Sequence, residues 1–163
     1  MTTPAGFTGT PKEKLKVLRI LTAALSLGVL FFALVVVVLN QMNGPLLDEE
    51  KSKYSDIFLV VAAVMAIVCG IVAISLYNKK VSFIKNGISA LDEKLNQYRI
   101  TLTLYLALCE GAALLSVIIF FLTGEYIVFA ITGIMLLAML LKMPVKAKLI
   151  NELGIDWKEQ DEL

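Results

Sequence analysis

At 163 residues the chain has the length of one domain, but 58% of it is hydrophobic and 18% charged, against about 45–50% and about 25% in soluble proteins. A net charge of +1 gives no case for nucleic-acid binding, and the absence of histidine removes the commonest metal ligand and the usual general base. The composition points to lipid, so run length matters more than periodicity.

The first apolar run, residues 17–39, follows Lys12, Lys14 and Lys16 and carries Arg19 in its first turn. Its length exceeds the core of about 7–15 residues in a removable export signal, and no small-x-small cleavage site follows it. It is expected to be a permanent anchor. The loop after it carries a turn signal at Asn43, Gly44 and Pro45, then the acidic stretch Asp48, Glu49 and Glu50. Three adjacent carboxylates match no calcium-loop spacing, so a solvated acidic loop is expected there rather than a cation site.

The second run, residues 57–77, leads into a patterned segment. Tyr77, Val81, Ile84, Ile88, Leu91, Leu95, Tyr98 and Leu102 alternate steps of four and three, a heptad-like seam. Asn86-Gly87 interrupts it, and Ser89 to Asp92 reads as a capping box. Within an amphipathic cytoplasmic loop over residues 78–99, the second span is therefore expected to continue past the membrane, turn near Gly87 and return as a short amphipathic helix into the third span. The stripe is expected to lie on the membrane interface; packing against the C-terminal tail or a partner is the alternative.

The third run, residues 100–122, contains Glu110 within LALCEGAALL. About 1.5 Å per residue places this carboxyl some 15 Å into a hydrocarbon core about 30 Å thick. A charge at that depth costs about 2.5–3.5 kcal/mol on insertion scales, and no span supplies a basic counter-ion there. Glu110 is expected to be neutral and hydrogen-bonded inside the bundle, with Ser75, Thr132 or carbonyls near Gly70 and Gly133 as partners. It is then either an ion- or proton-binding group or a hydrogen-bond clamp between helices. The fourth span, about residues 126–142, is short, with Glu125 and Lys142 at the two interfaces and Pro144 ending or kinking it. Beyond it come a short amphipathic helix, a stop at Gly154, Trp157 near the interface and an acidic tip. The terminal QDEL resembles an endoplasmic-reticulum retrieval signal, a coincidence for a tail expected in the cytoplasm.

A soluble helical bundle would need polar outer faces, which residues 29–39 and 59–74 lack. The expected architecture is all-α, a single domain over 1–163 with four transmembrane helices in an antiparallel bundle. Thirteen of the fifteen basic residues fall in the N-terminal tail, the middle loop with its edges and the C-terminal segment; only Lys51 and Lys53 fall elsewhere. The positive-inside rule then places both termini in the cytoplasm of an inner-membrane protein. These lysines attract anionic headgroups, with topology setting as their expected role.

Small residues recur at four-residue spacing as Ala24/Gly28, Ala62/Ala66/Gly70 and Ala107/Gly111. They let helix backbones approach closely, within the monomer or on a homo-oligomeric face. Cys69 and Cys109 fall mid-span as packing thiols. No catalytic constellation, metal signature or cofactor fingerprint is present in the sequence. No enzyme, cofactor, metal or nucleic-acid partner is expected; the expected partners are the lipid bilayer and either a second copy or another membrane protein.

LALCEGAALLSVIIFFL resembles the carboxylate-bearing helix of rotary ATPase proteolipids, where a Glu followed by small and then aliphatic residues binds the transported ion. That resemblance implies an ion-carrying role for Glu110. In overall style the chain also resembles small four-span bacterial inner-membrane proteins of the Bacteroidetes type, which implies a location and no mechanism. The leading expectation is a non-enzymatic structural or accessory subunit, and the alternative is a proton- or cation-coupled transport component.

Overall fold

The structure, a computed structural model, describes residues 10–47, 55–87 and 90–155. Asp48 to Glu50, Ile88, Ser89, Trp157 and the QDEL terminus lie outside the described residues. Five helices account for the regular structure, and no strand occurs among the described residues: α1 (Pro11–Asn43), α2 (Ser55–Asn86), α3 (Leu91–Thr123), α4 (Tyr126–Leu141) and α5 (Lys146–Leu153).

Local chemistry sets the ends. At the start of α1 the Thr10 hydroxyl accepts from the Glu13 N–H (3.4 Å) while the Thr10 N–H donates to the Glu13 carboxylate (2.9 Å). With Pro11 in the first turn, this is a capping box that satisfies orphan amides. α2 ends at a bend at Gly87. α3 opens with Ala90 at its N-cap and no side-chain cap. Ser89, where the sequence placed the start of a capping box, lies outside the described residues. α3 is then one continuous helix from Leu91 through Glu110 to Thr123, not a short helix joined to a span.

The far turns interlock. Gly124 ends α3 at φ +72, and a Cβ there would stand 3.2 Å from Pro45, so backbone conformation and space both favour glycine. The Asn40 amide donates to the Phe120 carbonyl (2.9 Å), and Leu47 N–H donates to the Leu122 carbonyl (3.0 Å). The end of α1 and the loop after it thereby supply donors to carbonyls in the last turn of α3.

α1, α2 and α3 are each long and apolar enough to cross a membrane, and α4 with α5 makes a fourth only if that pair, bent by 78°, is one broken span. The break fits the chain: Pro144 disfavours helix at Met143, and α4 stops at Leu141. Apolar residues face outward to a degree no soluble bundle tolerates. Phe31, Ile67, Ile71, Ile134 and Leu137 are all more than half exposed, whereas the best-buried spanning helix is α3, 44% of whose apolar window is covered. This is the pattern of a multi-pass membrane protein.

The interior is layered around α3. One layer joins Val29, Ala66, Ala112, Ala113 and Met135; another joins Ala33, Val36, Val117 and Phe120; a third joins Ala62, Ile119 and Val128. The largest cluster lies at the other end and holds Leu15, Leu18, Tyr77, Val81, Ile84, Leu91, Leu95, Tyr98, Leu102, Leu149, Leu153 and Ile155. The described residues of the heptad-like seam therefore pack in one buried cluster with α5 rather than lying on the membrane interface as expected. Leu149 and Leu153, four apart on α5, supply the apolar face the stripe lacks, and both are fully buried.

Candidate functional site

Two carboxyls attract attention, and the structure treats them oppositely. Glu110 sits mid-way along α3, half-buried, at the edge of the covered face. Its neighbours toward the core, Cys109 and Ala113, are buried, while Thr103, Ala107 and Gly111 are exposed. No hydrogen bond or ion pair reaches its carboxyl from the described residues. The partners expected from sequence are engaged elsewhere or remote. Thr132 donates to the Ala113 carbonyl (3.5 Å), Ser75 is exposed, a Cβ on Gly70 would meet the Met135 methyl at 3.8 Å, and Gly133 faces open space. The internal clamp expected at Glu110 is absent from the described residues: the acid lies at the flank of α3, one position away from the buried Cys109.

The small-residue ladders divide along the same line. Ala62 and Ala66 are buried and Gly70 is half-buried between α2 and α4. Ala107 and Gly111, expected as bundle-packing positions, are exposed, as are Ala24 and Gly28; a Cβ on Gly111 or Gly28 would meet nothing within 4 Å. Three of the seven ladder residues thus pack inside the chain and four face outward. Cys69 is half-buried, Cys109 is buried, and both are free thiols.

Glu152, on α5, is the second carboxyl. Its Oε2 accepts from the Tyr77 hydroxyl at 2.6 Å and from the Tyr98 hydroxyl at 3.1 Å. The two phenol oxygens stand 3.1 Å apart. Both phenols stand within donating distance of the same Oε2, and sharing that oxygen holds the phenol pair close. The Tyr77 ring stacks edge-on against Tyr98 and Tyr105, with centroids at 6.3 and 5.4 Å. Lys142 places its ammonium 4.0 Å from the centre of the Tyr77 ring, a cation–π contact.

The connection between α4 and α5 is tied down around this cluster. Arg19 donates from Nε to the Pro144 carbonyl (2.8 Å), and Lys148 donates to the Leu141 carbonyl (2.7 Å). Breaking a helix leaves carbonyls without intrahelical partners, and these two cations supply donors at that point. Across the same end, Lys14 pairs with Asp92 at 2.7 Å. Sequence reading put Tyr77 and Tyr98 on the seam but missed Glu152. The available signal was its place between Leu149 and Leu153, on the face α5 buries.

No group of three or more His, Cys, Asp or Glu side chains among the described residues is arranged to hold a metal ion. Compared with known protein families, curated proteins and solved structures, the chain has no match in any of the three.

Proposed function

We propose that this chain is a non-enzymatic structural or accessory subunit of a bacterial inner membrane, crossing it four times as an antiparallel bundle with both termini in the cytoplasm. The observation that carries the subunit role is Glu110, a mid-helix carboxyl without a partner among the described residues, beside the exposed Thr103, Ala107 and Gly111. An intramembrane acid is costly to leave unbonded, and small neighbours admit a second helix closely. The clamp expected within the bundle is then a clamp between chains, to a second copy or another membrane protein. The four-span topology draws support from the outward-facing apolar surface and from the basic residues, of which Arg19, Lys142 and Lys148 meet at one end.

Co-purification in mild detergent tests the role. Wild type is expected to bring down one defined partner or to run as an oligomer, and Glu110→Leu to lose that association while remaining folded. A monomeric wild type without a partner, unchanged by the substitution, overturns the reading.

The same observation favours a second reading, a proton- or cation-coupled transport component, because the resemblance of the third span to proteolipid carboxylate helices makes Glu110 the ion carrier. Carbodiimide labelling of Glu110 across pH separates the two. Labelling that titrates, together with a stable Glu110→Gln variant that has lost proton flux, selects transport; labelling without titration removes it.

A further inference from the structure

A cleft of about 220 Å³ opens between the end of α2 and the start of α3, lined by Lys80, Phe83, Ile84, Gln97, Ile100 and Thr101. The apolar runs of the two helices end near Tyr77 and begin near Ile100, so the cleft straddles the boundary between hydrocarbon and headgroups. Its walls are divided in chemistry. Phe83 and Ile100 are 76% and 52% exposed and offer unpartnered apolar surface. Lys80 is exposed and has no acidic partner among the described residues. Thr101 donates its hydroxyl proton to the Gln97 carbonyl (2.9 Å), so its oxygen can only accept from a ligand. The Gln97 amide already donates to Glu93 (3.4 Å), whose negative charge lies a turn further from the membrane; an anion is therefore drawn to the Lys80 side.

We infer that this cleft binds one anionic phospholipid of the leaflet at the Lys80 end, its phosphate on the Lys80 ammonium, a headgroup hydroxyl donating to Thr101, and an acyl chain running over Ile100 toward the exposed Leu104. The site calls for a phosphate, a hydroxyl-bearing headgroup and an adjoining chain together, which a glycerol-headed phospholipid supplies. An acidic peptide would satisfy Lys80 but would leave Ile100 and Leu104 facing lipid unchanged. The inference goes beyond the subunit role. It rests on the membrane reading, which has a separate readout: retention of the chain in membranes washed with alkaline carbonate.

The test is native mass spectrometry of the full chain in detergent, titrated with phosphatidylglycerol or with phosphatidylcholine of the same acyl chains. A one-to-one phosphatidylglycerol adduct is expected to survive activation that strips phosphatidylcholine. Lys80→Gln is expected to weaken it about fivefold, the effect of one lysine near an anionic surface. Phe83→Ala, also at an exposed position, is expected to reduce retention of both lipids, and Lys79→Gln, outside the cleft lining, to change nothing. Equal retention of the two lipids overturns the inference, as does an equal effect of Lys79→Gln and Lys80→Gln, which would mean diffuse surface charge. Displacement of the lipid by inorganic phosphate alone reassigns the cleft to a soluble anion, and capture of an acidic peptide in preference to phosphatidylglycerol reassigns it to protein docking.

Discussion

Glu152 and Glu110 are the same side chain in opposite circumstances. Glu152 lies at the end of the molecule where α2, α3, α4 and α5 meet, and one of its oxygens takes two phenol protons. Glu110 lies halfway along the most covered spanning helix and takes none from the described residues. The sequence makes Glu110 the conspicuous residue, because apolar neighbours surround it. The structure gives Glu152 the internal bonding role. A polar group placed where the chain can bring donors to it is absorbed into the fold, whereas one at the half-buried flank of a finished bundle is left for something outside the chain.

That contrast can be broken or sharpened by substitution, with thermal unfolding in detergent as the common measurement. The largest loss is expected from Leu149→Ala, which empties a fully buried position under the seam; large-to-small changes of this kind cost about 2–5 kcal/mol. If the melting temperature barely moves, α5 is not part of the core. Glu152→Ala is expected to follow, at about 1–3 kcal/mol, because it leaves two phenols without their shared acceptor. Tyr98→Phe removes one donor and leaves the carboxylate bonded to Tyr77, so a loss of about 1 kcal/mol is expected; a double-mutant cycle with Glu152→Ala should then show coupling. Smallest of all is Glu110→Gln, expected within about 0.5 kcal/mol in the isolated chain, as for positions away from buried networks. A large destabilisation by Glu110→Gln, or none by Glu152→Ala, would invert the comparison.

Several features were legible without coordinates because they depend on short stretches of chain. The helical spans follow from unbroken apolar runs, the end of α4 from Pro144, the stop of α5 from the glycine at position 154, and the turn after α1 from Gly44 and Pro45. The capping box at Thr10 and Glu13 was equally local and was overlooked. The seam shows where legibility ends. Its period of three and four demanded an apolar partner surface, and nothing in that period said whether lipid or another helix supplied it. The structure supplied Leu149 and Leu153, some fifty residues further along the chain.

The amino-acid sequence by itself determined that this is an all-helical chain with three or four segments able to cross a membrane, since backbone polar groups in lipid must be satisfied within the segment and run length alone reports that. It also determined that an acid stands in the middle of the third run. Only the tertiary structure decided which faces of those helices meet, because side-chain period names a face and not its partner. Hence it was the packing of α5 beneath the seam that brought Glu152 to Tyr77 and Tyr98, and the placement of α3 among its neighbours that left Ala107, Gly111 and the flank of Glu110 turned outward.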